Sequence, residues 1–367
     1  YVYAFIYVGI FEYASPVSEY LRNFNIALPQ IKNIYGASLI MAMALFPYIF
    51  LLTKAHLGSV GIKVFKAAKS LGDTNITAIR KVIIPSLWPT IIAGMALVVF
   101  ETIADFGGVS TLRVDTFTVG IYDAWFGYQS YFSATRLAGF LLLFVFLIMF
   151  LAKYFGEKSV HLASKTAETF ERIETTPIVR IGMLIFCSLI FIIVFCIPTS
   201  QLIVWNLADS NLNLISNLQL LINSLIVGLL ASVITVFFAI ALALSYKHST
   251  ILKSSILISS SGYAIPGSVI SAGLLVGIDY IFDTSITFYG ILGLLMCLSL
   301  RFMTPAFNYI SASLSNISKS AEHALTTLPR DSFKAFKLFY LPQMKPAIFL
   351  SLMLVFIESI KEQPATL

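Results

Sequence analysis

Residues 66–89 read KAAKSLGDTNITAIRKVIIPSLWP, a polar stretch that separates two long apolar runs and closes on two prolines. The same layout recurs at residues 323–346, HALTTLPRDSFKAFKLFYLPQMKP. A constant offset of 257 residues (66 to 323) aligns residues 66–105 with 323–362 without a gap, and it keeps prolines and acidic residues in register. This agreement indicates an internal duplication.

The composition around these segments excludes a soluble protein. Hydrophobic residues make up 58% of the 367 residues and charged residues only 11%, whereas soluble domains carry about 25% charged residues. The apolar runs are too long and unbroken for barrel strands, so they predict a polytopic all-α membrane protein. The predicted spans cover residues 1–10, 34–53, 87–105, 137–155, 181–198, 218–246, 256–282, 290–310 and 347–360.

The distribution of basic residues predicts the orientation. Eighteen of the 24 Lys and Arg residues fall in loops on the side of residues 54–81, which is therefore cytoplasmic. The loops on the other side hold Arg22, Lys32, Arg113 and Arg136. This bias explains the net charge of +6 without a nucleic-acid partner. Six spans separate the two polar segments, so both face the cytoplasm in a parallel repeat with a pseudo-two-fold along the membrane normal.

The repeat divides the chain into two expected units. The first covers residues 1–155 and contains the polar loop 55–86. A charged cytoplasmic linker follows at residues 156–180, and the second unit covers residues 181–367 with its loop at 311–345. We expect the first unit to be incomplete at its N-terminus and the second at its C-terminus.

Each loop predicts two short helices at an angle. Good helix formers precede Gly72, which breaks the first helix. Asp73 or Thr74 is expected to cap a second helix, which Pro85 ends before the next span opens near Pro89. In the second copy, Pro329 takes the position of Gly72 and is expected to produce a similar corner.

The second helix of each loop is amphipathic. Its apolar positions are Ile76, Ile79, Val82 and Ile83 in the first copy, and Phe333, Phe336, Phe339 and Tyr340 in the second. One interpretation is a helix that rests on the lipid surface. Two matched corners on one side of the membrane favour instead a partner with two-fold symmetry.

These loops resemble the EAA loop of ABC-transporter permeases. The matching positions are Lys66, Ala67, Ala68, Gly72 and Pro85 in the first copy, and His323, Ala324, Pro329 and Pro342 in the second. Lys66 replaces the glutamate of the family pattern and Pro329 its glycine. The stretches ETIADFGGVSTLRVDTFTVGIYDAWF and ESIKEQPATL, which follow the two loops, extend the resemblance to the fused iron(III) permeases over essentially the whole chain.

The resemblance implies a type I importer of the bacterial inner membrane. Its expected partners are a cytoplasmic ABC ATPase homodimer, which receives the two corners, and a periplasmic iron(III)-binding protein. The chain has no phosphate-binding G-x-x-x-x-G-K-[ST] motif, so it is not expected to be an enzyme, and no cofactor is implied. The alternatives are a thiamine or phosphonate permease of the same type, or a secondary transporter driven by an ion gradient.

Four acids in the spans are candidates for the substrate pathway. They are Glu101, Asp105, Glu358 and Glu362, a pair one helical turn apart and its repeat. Carboxylate oxygens suit a hard cation such as Fe(III), in brief contacts rather than at a tightly bound metal site. The alternative is structural, with Glu358 paired to Lys361, Glu362 paired to Arg301, and Asp105 facing water. The Pro266-Gly267 pair also predicts a kink in the span at 256–282.

Overall fold

A computed structural model describes residues 1–57, 62–156, 176–208, 214–248, 262–282, 286–315, 317, 336–363 and 366. Within these residues all regular secondary structure is helical. Seven of the helical segments are long and apolar enough to cross a membrane, namely Ile34–His56, Asn75–Ala104, Tyr131–Leu151, Pro177–Ala208, Asn217–Lys247, Gly290–Ser315 and Phe336–Lys361. They confirm seven of the predicted spans and the prediction of a polytopic all-α membrane protein.

The helices differ widely in length. In chain order they are α1 (Val2–Phe11), α2 (Pro16–Arg22), α3 (Ile34–His56), α4 (Ile62–Ser70), α5 (Asn75–Ala78), α6 (Ile84–Ala104), α7 (Gly107–Thr111), α8 (Phe117–Tyr122), α9 (Tyr131–Gly156), α10 (Pro177–Phe191), α11 (Ile197–Ala208), α12 (Leu214–His248), α13 (Gly267–Phe282), α14 (Ile286–Ser315) and α15 (Leu341–Lys361). Single π-turns occur at Ile79–Ile83, Asp123–Gly127, Ile192–Cys196 and Phe336–Tyr340, and a 3₁₀ turn at Gly262–Ala264.

The two remaining predicted spans correspond to shorter helices. Helix α1 has 10 residues and α13 has 16, whereas a crossing helix needs about 20. Helix α13 begins directly after Pro266, so the Pro266-Gly267 pair lies at a helix start and the predicted kink is wrong. Residues 256–261 of that predicted span lie outside the described residues.

The first of two compact units consists of Tyr1–Val119 and Leu143–Asn211. In this unit α3 packs along α6. A Cβ added at Gly94 would lie 3.1 Å from Ile49 Cα, so glycine permits this close approach. Helix α1 contacts α2, α3, α7 and α11, and the Tyr7 hydroxyl donates a hydrogen bond to the Ile193 carbonyl.

The second compact unit consists of Gly120–Leu142 and Leu212–Leu367. Its core is formed where α12, α14 and α15 pack against one another. Small buried residues recur every four positions along α12, namely Ala231, Thr235, Ala239 and Ala243. Because small side chains let helix backbones approach closely, this face accepts large residues such as Phe302 and Met344 from its neighbours.

The helix boundaries reproduce the sequence repeat. The π-turn Ile79–Ile83 continues into Ile84–Ala104, and the π-turn Phe336–Tyr340 continues into Leu341–Lys361. All four boundaries differ by the offset of 257 found in the sequence. The duplication is therefore present in local backbone structure as well as in residue identity.

The prediction that Pro85 ends one helix and Pro89 opens the next is wrong. The chain stays helical from Asn75 to Ala104. In the π-turn, the Ile84 N–H donates to the Ile79 carbonyl five residues earlier. This wider turn changes the hydrogen-bond register just before Pro85, the second residue of α6, so the chain stays helical although Pro85 has no N–H to donate.

Candidate functional site

The corner after α4 is a Schellman turn that closes on Gly72. The Asp73 N–H donates to the Ala68 carbonyl at 3.2 Å, and the Gly72 N–H donates to the Lys69 carbonyl at 3.0 Å. Gly72 has a φ of +94°, in the left-handed region that glycine adopts at little cost. Gly72 therefore ends the first short helix, as the sequence predicts.

Thr74 begins the second short helix. Its hydroxyl accepts a hydrogen bond from the Thr77 N–H at 3.3 Å, so Thr74 rather than Asp73 is the cap. Helices α4 and α5 contact each other, and their Ala68 and Ala78 are 5% and 0% exposed. Small buried side chains on both helices keep this corner compact.

Three apolar residues of the corner are exposed, among exposed polar and charged neighbours. Leu71 is 87% exposed, Ile76 70% and Ile79 42%; we call these three residues the apolar corner. Ile83, further along the predicted stripe, is only 8% exposed. The predicted apolar positions of this helix therefore differ in exposure. Ile83 is buried in the unit, whereas Ile76 and Ile79 are exposed and could contact a partner.

The remaining EAA-like positions of the first copy are also described. Lys66 and Ala67 are exposed on α4, whereas Ala68 faces inward. Pro85 occupies the second position of α6. In the second copy, Pro342 occupies the second position of α15.

Three of the EAA-like positions of the second copy, His323, Ala324 and Pro329, lie outside the described residues. Their contribution to a second corner therefore stays a prediction. The same holds for the corner that Pro329 is expected to form in place of a glycine.

In the first unit, Asp105 holds the turn that follows α6. Its Oδ2 accepts a hydrogen bond from the Val109 N–H at 3.0 Å, and its carbonyl accepts one from the Thr118 hydroxyl at 2.8 Å. A Cβ at Gly108 would lie 2.6 Å from Asp105 Oδ2, so the glycine makes room for the carboxylate. Asp105 lies directly after the span-length segment that ends at Ala104. Burial raises the pKa of the Asp105 carboxyl, while the N–H groups of Gly108 and Val109 act in the opposite direction.

Glu101 lies one turn before Asp105, near the end of α6, and is half-buried. Its repeat partner Glu358 lies near the end of α15 and accepts a hydrogen bond from Lys361 Nζ at 2.8 Å. The Glu358 side chain is 17% exposed and that of Lys361 is 53% exposed. This pair is therefore open to solvent on the lysine side.

Glu362 forms a buried ion pair with Arg301 of α14. The Arg301 Nη1 and Glu362 Oε1 atoms are 3.0 Å apart, and the two side chains are 7% and 6% exposed. A Cβ at Gly267 would lie only 2.1 Å from Glu362 Oε1 and 2.8 Å from Arg301 Nη1. The glycine that begins α13 therefore leaves the space in which the two charges meet.

The acids at equivalent positions thus have different partners. Asp105 and Glu362 align in the repeat, yet Asp105 accepts hydrogen bonds from a following helix and Glu362 pairs with a cation. The second arrangement matches the structural alternative considered from the sequence. Sequence reasoning missed both glycines that accommodate these carboxylates, because a close approach between distant segments leaves no local pattern.

No metal centre is formed by the described part of the chain, in which no group of three or more His, Cys, Asp or Glu residues is placed to hold an ion. The acids described above lie at or just after helix ends.

The seven span-length helices define a multi-pass helical membrane protein. Residues 2–160 match the family of binding-protein-dependent transport system inner membrane components. This match and the seven span-length helices identify a protein of the inner membrane.

Individual relatives give a closer comparison. The chain is 26% identical over 351 residues to the Fe(3+)-transport system permease protein FbpB 2 of Haemophilus influenzae, covering 92% of this chain and 68% of the relative. It is 34% identical over 74 residues to the sulfate transport system permease protein CysT of Salmonella typhimurium, covering 20% of this chain and 27% of the relative. No solved structure gives a significant match.

Proposed function

We propose that this chain is the permease subunit of an ATP-driven importer that carries iron(III) into the cytoplasm. The observation that carries the proposal is the exposed apolar corner, which lies within the segment that matches the family of binding-protein-dependent permeases. The similarity to an Fe(3+)-transport permease over 92% of the chain supports iron(III) as the substrate.

The proposal includes two fused permease units, at residues 1–155 and 181–367, joined by a cytoplasmic linker at 156–180. These bounds follow the sequence repeat and differ from those of the two compact units. The repetition of a π-turn and a following helix at one offset supports this duplication. A cytoplasmic ATPase homodimer would receive one corner in each subunit. Closure of that dimer on ATP would then move both units at once, because each of the two π-turns continues into a span without a break in the helix.

The other expected partner is a periplasmic iron(III)-binding protein that delivers substrate to the outer face. ATP hydrolysis belongs to the separate ATPase chain. The permease itself supplies the pathway and the mechanical connection.

An uptake experiment tests the proposal against its main alternative. Cells that express the complete system are depleted of ATP in one arm and of their proton gradient in the other. We expect iron(III) uptake to stop with ATP depletion. Uptake that survives ATP depletion and stops with the gradient would identify a secondary transporter instead, and a binding protein that holds thiamine or a phosphonate would exclude iron.

Among the candidate acids, we propose that Glu101 and Glu358 contact the passing ion. Asp105 holds the turn after α6 and Glu362 forms a buried ion pair with Arg301, so we assign both a positional role. Glu358 also pairs with a cation, but that pair is open to solvent on the Lys361 side. Glu101 and Glu358 occupy equivalent positions on α6 and α15, close to each helix end. Each unit thereby offers one carboxylate to the substrate.

Replacing both Glu101 and Glu358 by glutamine is expected to lower iron(III) uptake about a hundredfold or more, since each lost charged contact is worth about 1.5–3 kcal/mol. The rate of radioactive iron uptake measures the effect, with ATP hydrolysis measured in parallel. Asp115 and Asp123 are exposed acids outside the spans, and changing both to asparagine is the matched control. Normal uptake in the glutamine double variant would remove these two acids from the pathway.

A further inference from the structure

A cleft in the first unit brings together basic residues that the sequence scatters over two loops. It has a volume of about 510 Å³ and is lined by residues of α1 and α2, of the segment between α2 and α3, and by Arg113. Three of its lining residues are Arg22, Lys32 and Arg113. The cleft is on the side that the Lys and Arg distribution predicts to be outside.

This concentration of cations is unusual for that side of the membrane. Only Arg22, Lys32, Arg113 and Arg136 fall in the predicted outer loops, and three of these four line one cleft. The positive-inside bias explains why basic residues are rare there. It does not explain why those present converge.

Most of the positive charge in the cleft is not balanced from within. Lys32 Nζ pairs with Glu12 Oε1 at 3.0 Å. Glu12 is the acidic residue that lines the cleft, and it neutralises Lys32. The Arg22 guanidinium lies over the Tyr13 ring, 3.8 Å from its centroid. Among the described residues, its buried Nη1 has no hydrogen-bond partner.

Arg113 has an unusual backbone conformation. Its φ is +54°, in the left-handed region that non-glycine residues rarely adopt. The Arg113 N–H donates to the Ser110 carbonyl at 3.0 Å, which holds the turn after α7. Arg113 thus carries a long cationic side chain at a position that suits glycine or asparagine.

We propose that this cleft is an oxyanion site, which binds a carboxylate or phosphate group through Arg22 and Arg113. Guanidinium groups bind these anions through two parallel hydrogen bonds, and the stacked, half-buried Arg22 already has a fixed orientation. The oxyanion comes either from a small free anion or from an acidic side chain of the delivering protein. Only the second source rests on the proposed import function.

Three substitutions test the site by changing the charge or the shape of one side chain while leaving the fold intact. Arg22→Gln removes one charge, and Arg22→Lys keeps the charge but loses the planar fork. Arg113→Asn removes the other charge with a residue that tolerates left-handed backbone. Arg136→Gln is the matched control, because Arg136 also stacks on an aromatic ring, 4.1 Å from the Phe132 centroid, but does not line the cleft.

The first arm measures binding of inorganic phosphate and of citrate to the full chain with its ATPase in nanodiscs, by titration calorimetry. The second measures the affinity of the same particles for the purified binding protein. We expect Arg22→Gln and Arg113→Asn each to weaken binding about tenfold in at least one arm. Arg22→Lys should fall between Arg22→Gln and the unchanged protein.

The pattern across the arms identifies the source of the oxyanion. A loss confined to the second arm assigns it to a side chain of the binding protein, and a loss in the first arm assigns it to a free anion. If neither arm separates the cleft variants from Arg136→Gln, the cleft is not an oxyanion site. Neither binding measurement depends on whether uptake requires ATP, so failure of the oxyanion site can be distinguished from failure of the proposed function.

Discussion

Glu362→Gln is expected to lower the free energy of unfolding by about 3–5 kcal/mol, because it leaves the Arg301 guanidinium charged and buried without its counterion. The two side chains are 7% and 6% exposed and meet at 3.0 Å. Among the described residues, Arg301 Nε has no hydrogen-bond partner. Equilibrium unfolding in mixed micelles measures the change.

The control lies one residue away. Lys361 pairs with Glu358 at 2.8 Å, but its side chain is 53% exposed. Because the lysine side of this pair is open to solvent, Lys361→Met should be much less destabilising than Glu362→Gln. If Glu362→Gln is no more destabilising than Lys361→Met, the buried pair does not stabilise the second unit.

A double-mutant cycle separates the pair from its individual members. Replacing Arg301 by methionine removes the buried charge together with the need to balance it. The Arg301→Met and Glu362→Gln combination should therefore be less destabilising than the sum of the single changes. Additive effects would mean that the two residues act independently, despite their 3.0 Å separation.

Features that depend on local pattern could be predicted from the sequence. The sequence offset of 257 aligns two helical segments whose boundaries repeat at the same spacing, although the π-turn in each was not predicted. Gly72 and Thr74 belong to the residue types that end and begin helices, and both act as predicted. These features are encoded within a few neighbouring residues, so no tertiary information is needed to find them.

Prediction fails where a tertiary or non-standard arrangement overrides local preference. Pro85 and Pro89 favour helix breaks by residue type, but the π-turn before Pro85 keeps the chain helical. The sequence is compatible with both a pathway role and a structural role for Glu362 and does not decide between them. The choice depends on Gly267, which lies far away in the chain and leaves room for the ion pair.

Leu71→Glu is expected to abolish iron(III) uptake and to weaken association with the ATPase about thirtyfold or more. Leu71 is 87% exposed at the apolar corner, so the substitution should leave the fold and its melting temperature unchanged. In the proposed complex the same residue is buried against the ATPase, where an unpaired carboxylate costs about 2 kcal/mol or more. Copurification of the ATPase and uptake rates measure the two effects.

Two further variants decide whether the apolar corner acts by docking. Leu71→Met retains an apolar side chain of similar volume and should bind the ATPase normally. Ile76→Glu, on the same corner and 70% exposed, should behave like Leu71→Glu. A corner that merely rests on lipid predicts otherwise, since the ATPase would then copurify equally with all three variants. Equal copurification would therefore exclude docking through this corner and, with it, the proposed route from ATP to the spans.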